Sequence, residues 1–253
     1  MVKKEQMSNN NSNNVTVVID DNIPGRNLSM AIFLFPMLLL VSTFIGVPFV
    51  FFNIFNIVAA VLTTIAAELI VIFIALRYTK NVPEWQNVLR FKNFTFKHFS
   101  IGIGVGAVMW LTLQAVSILL NNAGIDLSSS NTSTSLSSVD GFWRYAIYYL
   151  CVPFIIPFVE ELFFRGAIIG FTQRGISNEK KGKIIAIIIS SVAFGLAHLQ
   201  GFSSFTDLFI VVWTGLIGLI NAILVLKYDS IYPAYATHLT YNGITVLLSA
   251  YIS

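Results

Sequence analysis

Long unbroken runs of apolar side chains are the feature that most restricts how this chain can fold. One run, from Ala31 to Leu40, reads Ala-Ile-Phe-Leu-Phe-Pro-Met-Leu-Leu-Leu. In hydrocarbon every backbone N–H and C=O group must find its partner within the protein, so only helices and closed barrels cross a membrane. Barrel strands alternate apolar and polar residues over about ten positions, and these runs do not alternate. The sequence therefore predicts an all-α fold, a polytopic bundle of transmembrane helices.

The composition excludes most other classes of protein. Charged residues make up 11% of the 253 residues and hydrophobic residues 56%, with a mean hydropathy of +0.77. A soluble domain carries about 25% charged residues to solvate its surface, so a water-soluble globule of this length is excluded. The single cysteine excludes a disulfide scaffold. The net charge of +3 is explained below by membrane topology, so the predicted partner is the lipid bilayer and not nucleic acid.

The distribution of Lys and Arg predicts the orientation of the chain. Basic residues concentrate in the cytosolic connections of helical membrane proteins. Here they fall in the N-terminal tail and in alternate connections, whereas the connections around 53–56, 121–142 and 201–205 contain none. Arg144, near the outer end of the fourth span, departs from the pattern. Seven spans with a cytosolic N-terminus are therefore predicted, at roughly 30–52, 57–77, 99–120, 143–171, 183–200, 206–226 and 230–250.

Four parts of the chain follow from these spans. Residues 1–28, which include an Asn-rich stretch, are predicted to be a disordered cytosolic tail. Residues 29–121 hold the first three transmembrane helices. The Ser/Thr/Asn-rich segment 122–141 is predicted to be a polar outer linker. Residues 142–253 form the last four helices, and they carry most of the polar residues considered below.

Three charged residues within six positions of the fourth span are the first indication of function. A charge at the centre of a span costs roughly 2.5–3.5 kcal/mol. Glu161 and Arg165 are four residues apart on one helix face, so they can neutralise each other. Glu160 points about 100° away and needs a partner from another helix or a proton. A structural ion pair would need one carboxylate, and the second is surplus. Glu68 in the second span has no assigned role.

Two histidines lie within apolar helices and extend this polar set. Phe194 and His198 are four residues apart, as are His238 and Asn242, so each pair shares a helix face. A single buried histidine is usually a hydrogen-bonded packing residue. Two of them, with an amide and an unpaired carboxylate, are typical of acid–base hydrolysis, in which a carboxylate and an imidazole take a proton from water and a second imidazole and an amide stabilise an oxyanion.

The polar residues also form three motifs that resemble those of a known family. Glu160-Glu161-Leu-Phe-Phe-Arg165 resembles its Glu-Glu-x-x-x-Arg motif, Phe194-Gly-Leu-Ala-His198 its Phe-x-x-x-His motif, and His238-Leu-Thr-Tyr-Asn242 its His-x-x-x-Asn/Asp motif. These are the motifs of the CPBP intramembrane glutamic endopeptidases, which include CAAX prenyl proteases and bacteriocin-processing or immunity proteins. The motifs occur in the same order, at intervals of 38 and 40 residues, and the resemblance covers roughly 142–250.

The resemblance implies a role for each motif residue. Glu160 and His198 would activate the hydrolytic water, and His238 with Asn242 would form the oxyanion hole. Glu161 and Arg165 would orient the site, with Phe194 as a supporting residue. The implied activity is that of an intramembrane endopeptidase without a covalent intermediate and without a cofactor, which acts on a membrane-associated peptide or protein. The short chain and its tail rich in Asn, Ile and Lys favour a multi-pass protein of a bacterial cell membrane.

Three alternatives remain open from the sequence. The two histidines and one or two glutamates could instead hold Zn²⁺ as in a metalloprotease, although no His-Glu-x-x-His helix is present. The family resemblance also includes immunity proteins, so the chain could bind a bacteriocin or partner without catalysis. Buried carboxylates also carry protons in transporters, but the chain shows no internal repeat. The identity of the substrate is not encoded in any motif.

The predicted orientation can be tested with introduced thiols. In a Cys151→Ala background, Ser129→Cys lies in the predicted outer linker and Ser177→Cys in a predicted cytosolic connection. We expect a membrane-impermeant thiol reagent to label position 129 in intact cells and position 177 only after permeabilisation, because basic connections stay in the cytosol. The reverse labelling pattern would contradict the orientation.

Overall fold

The computed structural model describes residues 24–51, 57–125, 127, 146–199, 201 and 204–252. These residues are almost entirely helical and include no strand, so the predicted all-α fold is confirmed. Four helices have the length and hydropathy needed to cross a membrane, and these stretches are Pro24–Pro48, Val58–Tyr78, Phe96–Asn122 and Phe205–Tyr228. The outer linker predicted at 122–141 lies mostly outside the described residues.

Seven long helices and one short helix make up this part of the chain. We label them α1 (Pro24–Phe51), α2 (Ile57–Tyr78), α3 (Trp85–Val88), α4 (Phe96–Asn122), α5 (147–175), α6 (Glu179–Ala197), α7 (Phe205–Tyr228) and α8 (Tyr232–Ile252). The long helices lie within a few residues of the seven apolar runs in the sequence. The main differences are at the helix starts.

Helix α1 begins at Pro24, six residues before the predicted span. Proline fits the first turn of a helix because its missing N–H would have no partner there. The Asn27 side chain is buried and accepts a hydrogen bond of 2.9 Å from Asn81 Nδ2. Residues 24–28 are therefore helical, which corrects their assignment to a disordered tail; residues 1–23 lie outside the described residues. Helix α6 likewise begins early, at Glu179, because the Asn178 side chain caps it by accepting from the Lys181 N–H at 2.9 Å.

Helix α5 changes between π-helical and α-helical winding three times along its length. It is a π-helix over Ile147–Ile155, an α-helix over Ile156–Glu160, a π-helix over Glu161–Ile168 and an α-helix again over Ile169–Gly175. Pro153 and Pro157 lie in its first half, where each removes one backbone donor and crowds the preceding turn. The adjacent glutamates thus lie on either side of an α-to-π junction. π-helical insertions within α-helices occur frequently at functional sites.

Helix α8 is fixed in place by close packing against α4. A Cβ atom added at Gly102 would overlap the carbonyl oxygen of Pro233, and one added at Gly106 would overlap that of Thr237. The Thr237 hydroxyl in turn donates to the Gly102 carbonyl at 3.1 Å. Glycines four residues apart therefore let the two backbones touch, as small residues do in membrane helix pairs.

The start of α8 is also tied to the connection between α2 and α4. The Asp229 carboxylate pairs with Arg90 Nε at 3.3 Å and with Lys92 Nζ at 2.9 Å. The Ile231 N–H donates to the Arg90 carbonyl at 3.1 Å, and the Ser230 hydroxyl donates to the Lys92 carbonyl at 2.8 Å. These contacts fix the turn from which α8 starts, and α8 carries His238 and Asn242.

The glycine contact predicts a position-specific loss of stability. We expect Gly106→Leu to lower the thermal unfolding midpoint of the detergent-solubilised protein, because overpacking a tight contact costs about 1–3 kcal/mol. Gly104→Leu is the matched control, since a Cβ at Gly104 meets nothing within 4 Å. Equal midpoints for the two variants would show that α4 and α8 do not pack through Gly106.

Candidate active site

A fully buried ion pair lies at the centre of the polar cluster. Arg165 Nη1 is 3.3 Å from Glu161 Oε1, and both side chains have 0% exposure. The guanidinium carbon also lies 4.0 Å from the centroid of the Phe194 ring, where the electron-rich aromatic face attracts a cation. Burying one of these charges alone would be strongly unfavourable, so the pair forms as a unit.

Glu161 collects hydrogen bonds from two further helices. Its Oε1 atom accepts from Asn221 Nδ2 of α7 at 3.0 Å and lies 3.1 Å from His238 Nδ1 of α8. Asn221 is fully buried and also donates to the Ala234 carbonyl at 3.4 Å. The sequence analysis did not single out Asn221; its signal is an amide in the middle of the otherwise apolar second half of α7. One carboxylate oxygen thereby joins α5, α7 and α8.

His238 connects the two neighbouring carboxylates. Because a carboxylate accepts hydrogen bonds, the contact with Glu161 places a hydrogen on His238 Nδ1. His238 Nε2 lies on the other side of the ring, 3.6 Å from Glu160 Oε2. His238 is thus the group from another helix that faces Glu160. The Glu160 side chain is 13% exposed, against 0% for Glu161, so Glu160 is the more accessible acid.

Phe194 brings the second histidine into the cluster. Its ring centroid is 4.7 Å from that of His198 and 5.6 Å from that of His238, in both cases edge to face. His198 Nδ1 lies 2.9 Å from the Phe194 carbonyl oxygen. A carbonyl only accepts, so Nδ1 carries the hydrogen and Nε2 of the neutral ring is left as an acceptor. His198 ends α6 and is only partly buried.

Asn242 is positioned differently from the other motif residues. It lies one turn after His238 on α8, and its Nδ2 donates to the Val152 carbonyl of α5 at 3.2 Å. In this arrangement one of its two amide hydrogens is occupied by backbone and the other is available. Glu160, Glu161, Arg165 and His238 are therefore in direct contact as a chain, His198 joins them through Phe194, and Asn242 contacts the π-helical start of α5.

This arrangement can perform acid–base chemistry on water. It offers one partly accessible carboxylate, one imidazole nitrogen that accepts a hydrogen bond, and a second imidazole held by a buried carboxylate. Among the described residues, no three His, Cys, Asp or Glu side chains lie together in a way that could hold a metal ion.

The fold and this cluster together define a helical membrane protein with a carboxylate–imidazole site between its helices. Residues 142–244 match the family model described as Type II CAAX prenyl endopeptidase Rce1-like. All three motifs lie inside this range, and the resemblance identified from them is confirmed over these residues, which are similar to the CAAX protease family. The family is one of proteases. No curated protein and no solved structure matches the chain.

The buried ion pair predicts a pattern of stabilities. Arg165→Met should lower the thermal unfolding midpoint sharply, because it leaves Glu161 as an uncompensated buried charge at a cost of about 3–5 kcal/mol. Adding Glu161→Gln should restore much of the loss, since the amide oxygen still accepts from Asn221 without a charge. The exposed pair of Lys183 and Glu179 supplies the control Lys183→Met, which we expect to change little. A double variant no more stable than Arg165→Met would contradict this account.

Proposed function

We propose that the chain is an intramembrane endopeptidase that hydrolyses a peptide bond of a membrane-associated peptide or protein. The single observation that carries the proposal is the pairing of Glu160 with His238 at 3.6 Å, beside the fully buried ion pair of Glu161 and Arg165. The buried ion pair with Arg165 requires only one of these two carboxylates, Glu161. The accessible one, Glu160, is available for chemistry.

In the proposed mechanism, Glu160 and His198 activate a water molecule. Glu160 accepts a proton from the water, and the Nε2 lone pair of His198 orients it, since Nδ1 is engaged by the Phe194 carbonyl. The hydroxide attacks the carbonyl carbon of the substrate and forms a tetrahedral intermediate. Collapse of this intermediate breaks the C–N bond, and Glu160 returns the proton to the departing amine. The reaction consumes one water molecule, and no covalent intermediate forms between the enzyme and the substrate.

His238 and Asn242 are the proposed donors to the oxyanion. His238 lies between the two carboxylates, with Nδ1 held by Glu161. In the proposed transition state its Nε2 donates a hydrogen bond to the developing negative charge. Asn242 would supply its second amide hydrogen. Glu161 and Arg165 act by holding the His238 ring in this orientation, as buried partners of an imidazole do in other hydrolytic sites.

The proposed setting is a bacterial cell membrane that the seven long helices cross, with the N-terminus in the cytosol. This topology is supported by the absence of Lys and Arg from alternate connections of the sequence. The description of the matching family favours a substrate with a prenylated C-terminal segment, which would be held at the membrane by its lipid chain. The other proposed substrate is a peptide precursor that is held in the membrane by its own apolar sequence.

Substitution of the two water-activating residues tests the proposal. We expect Glu160→Gln and His198→Ala each to reduce cleavage by about 10²- to 10⁴-fold, with unchanged membrane insertion. Cleavage is measured by comparing the peptides of membranes that carry each variant, and with prenylated and unprenylated synthetic peptides. Glu179→Gln, an exposed carboxylate on α6, is the control and should cleave normally. Normal cleavage by both site variants would refute the mechanism.

The same variant separates catalysis from an immunity function by binding alone. If cells expressing Glu160→Gln remain fully protected against a bacteriocin, protection does not depend on hydrolysis. Loss of both protection and cleavage in this variant would show that protection, like cleavage, requires the Glu160 carboxylate.

A further inference from the structure

Glu68 is a buried acid that the proposed mechanism does not use. Its side chain is 2% exposed. It is the central residue of the apolar stretch Val58–Tyr78, and no other ionisable residue occurs between Val58 and Leu76. Placing an ionisable group at such a depth in a membrane helix is energetically unfavourable, and the group usually faces a functional cavity or a polar partner.

Helix α2 packs against the part of α5 that carries the two glutamates. It contacts both the α-helical turn Ile156–Glu160 and the π-helical segment Glu161–Ile168. The Glu68 carboxyl lies within electrostatic range of those of Glu160 and Glu161. Three carboxyl groups from two helices therefore share one region of the bundle interior.

The positive charges near these three acids are too few to balance them. Arg165 neutralises Glu161, and His238 faces both Glu160 and Glu161. In the part of the chain that the structure describes, no ion pair joins Glu68 to a Lys, Arg or His. Like charges in a site of low dielectric disfavour each other, so one member of such a carboxyl pair keeps its proton.

The other elements packed against α2 do not supply a counter-ion. Helix α1 carries one ionisable residue, Arg26, whose guanidinium lies over the ring of Tyr78 at the end of α2, ten residues from Glu68. The segment Ile147–Ile155 brings Cys151 and tyrosines but no acid or strong base. Glu68 is also more buried than Glu160, and burial disfavours the charged form of an acid.

We propose that Glu68 is a positioning residue of the hydrolytic site, where its protonated carboxyl donates a hydrogen bond toward Glu160 across a bound water molecule. This inference rests on the proposed function. The donor on α2 leaves Glu160 as the ionised acid, which is the form that can accept a proton from the attacking water. A bridging water is an effective link between two buried polar groups.

Three substitutions on α2 test this role. Glu68→Ala removes the donor, and we expect kcat to fall about 10- to 100-fold with little change in KM, because a hydrogen bond to a charged group is lost. We also expect its pH–rate profile to move at the acidic limb, which reports the ionisation of Glu160. Glu68→Gln keeps a neutral donor of similar shape and should retain most of the activity. Thr63→Val removes another buried polar atom of α2 and should match the wild type.

A spectroscopic measurement detects the proton without any substrate. The infrared spectrum of the intact protein at neutral pH should contain the carbonyl-stretch band of a protonated carboxyl. We expect Glu68→Gln to lose this band and Glu160→Gln and Thr63→Val to keep it. Loss of the band in Glu160→Gln alone would assign the proton to Glu160 and overturn the inference.

The outcomes separate this inference from the proposed function. If the wild type cleaves, Glu160→Gln does not, and Glu68→Ala keeps the wild-type kcat and pH profile, only the role of Glu68 is refuted. If Glu68→Gln is as defective as Glu68→Ala, a neutral donor is not what the site needs, and the inference also fails. If Glu160→Gln cleaves normally, the hydrolytic function itself is wrong.

Discussion

The ion pair between Glu161 and Arg165 is the interaction on which the rest of the structure depends. Neither charge has contact with solvent, and neither could remain buried without the other. The carboxylate also accepts from Asn221 and contacts His238 through the same oxygen. Because these partners come from different helices, satisfying one buried oxygen brings α5, α7 and α8 to a common point. Electrostatics thus supplies the specificity that apolar packing in a lipid environment does not.

The two adjacent glutamates have different roles because their side chains point in different directions. A step of one residue turns a side chain by about 100° on an α-helix. Glu161 is therefore enclosed and Glu160 is 13% exposed. The enclosed acid holds the histidine ring and the cation. The other acid is the more accessible of the two, and His238 lies between them with one nitrogen toward each.

The apolar runs of the sequence were sufficient to predict the helices, because unbroken hydrophobicity over about 20 residues leaves few other structures open. The pairing of Glu161 with Arg165 follows from their i,i+4 spacing. Other features depend on contacts across long stretches of chain. Asn221 meets a carboxylate 60 residues away, and its place in an apolar stretch of α7 does not indicate which helix it contacts. The π-helical turns of α5 and the early start of α1 likewise depend on their tertiary neighbours.

Phe194 has a consequence that reaches beyond its place in a motif. One face or edge of its ring meets the guanidinium of Arg165 and the imidazoles of His198 and His238. One benzene ring therefore joins a buried cation to both histidines. Withdrawing electron density from that ring, without changing its shape, would weaken its attraction for the Arg165 guanidinium.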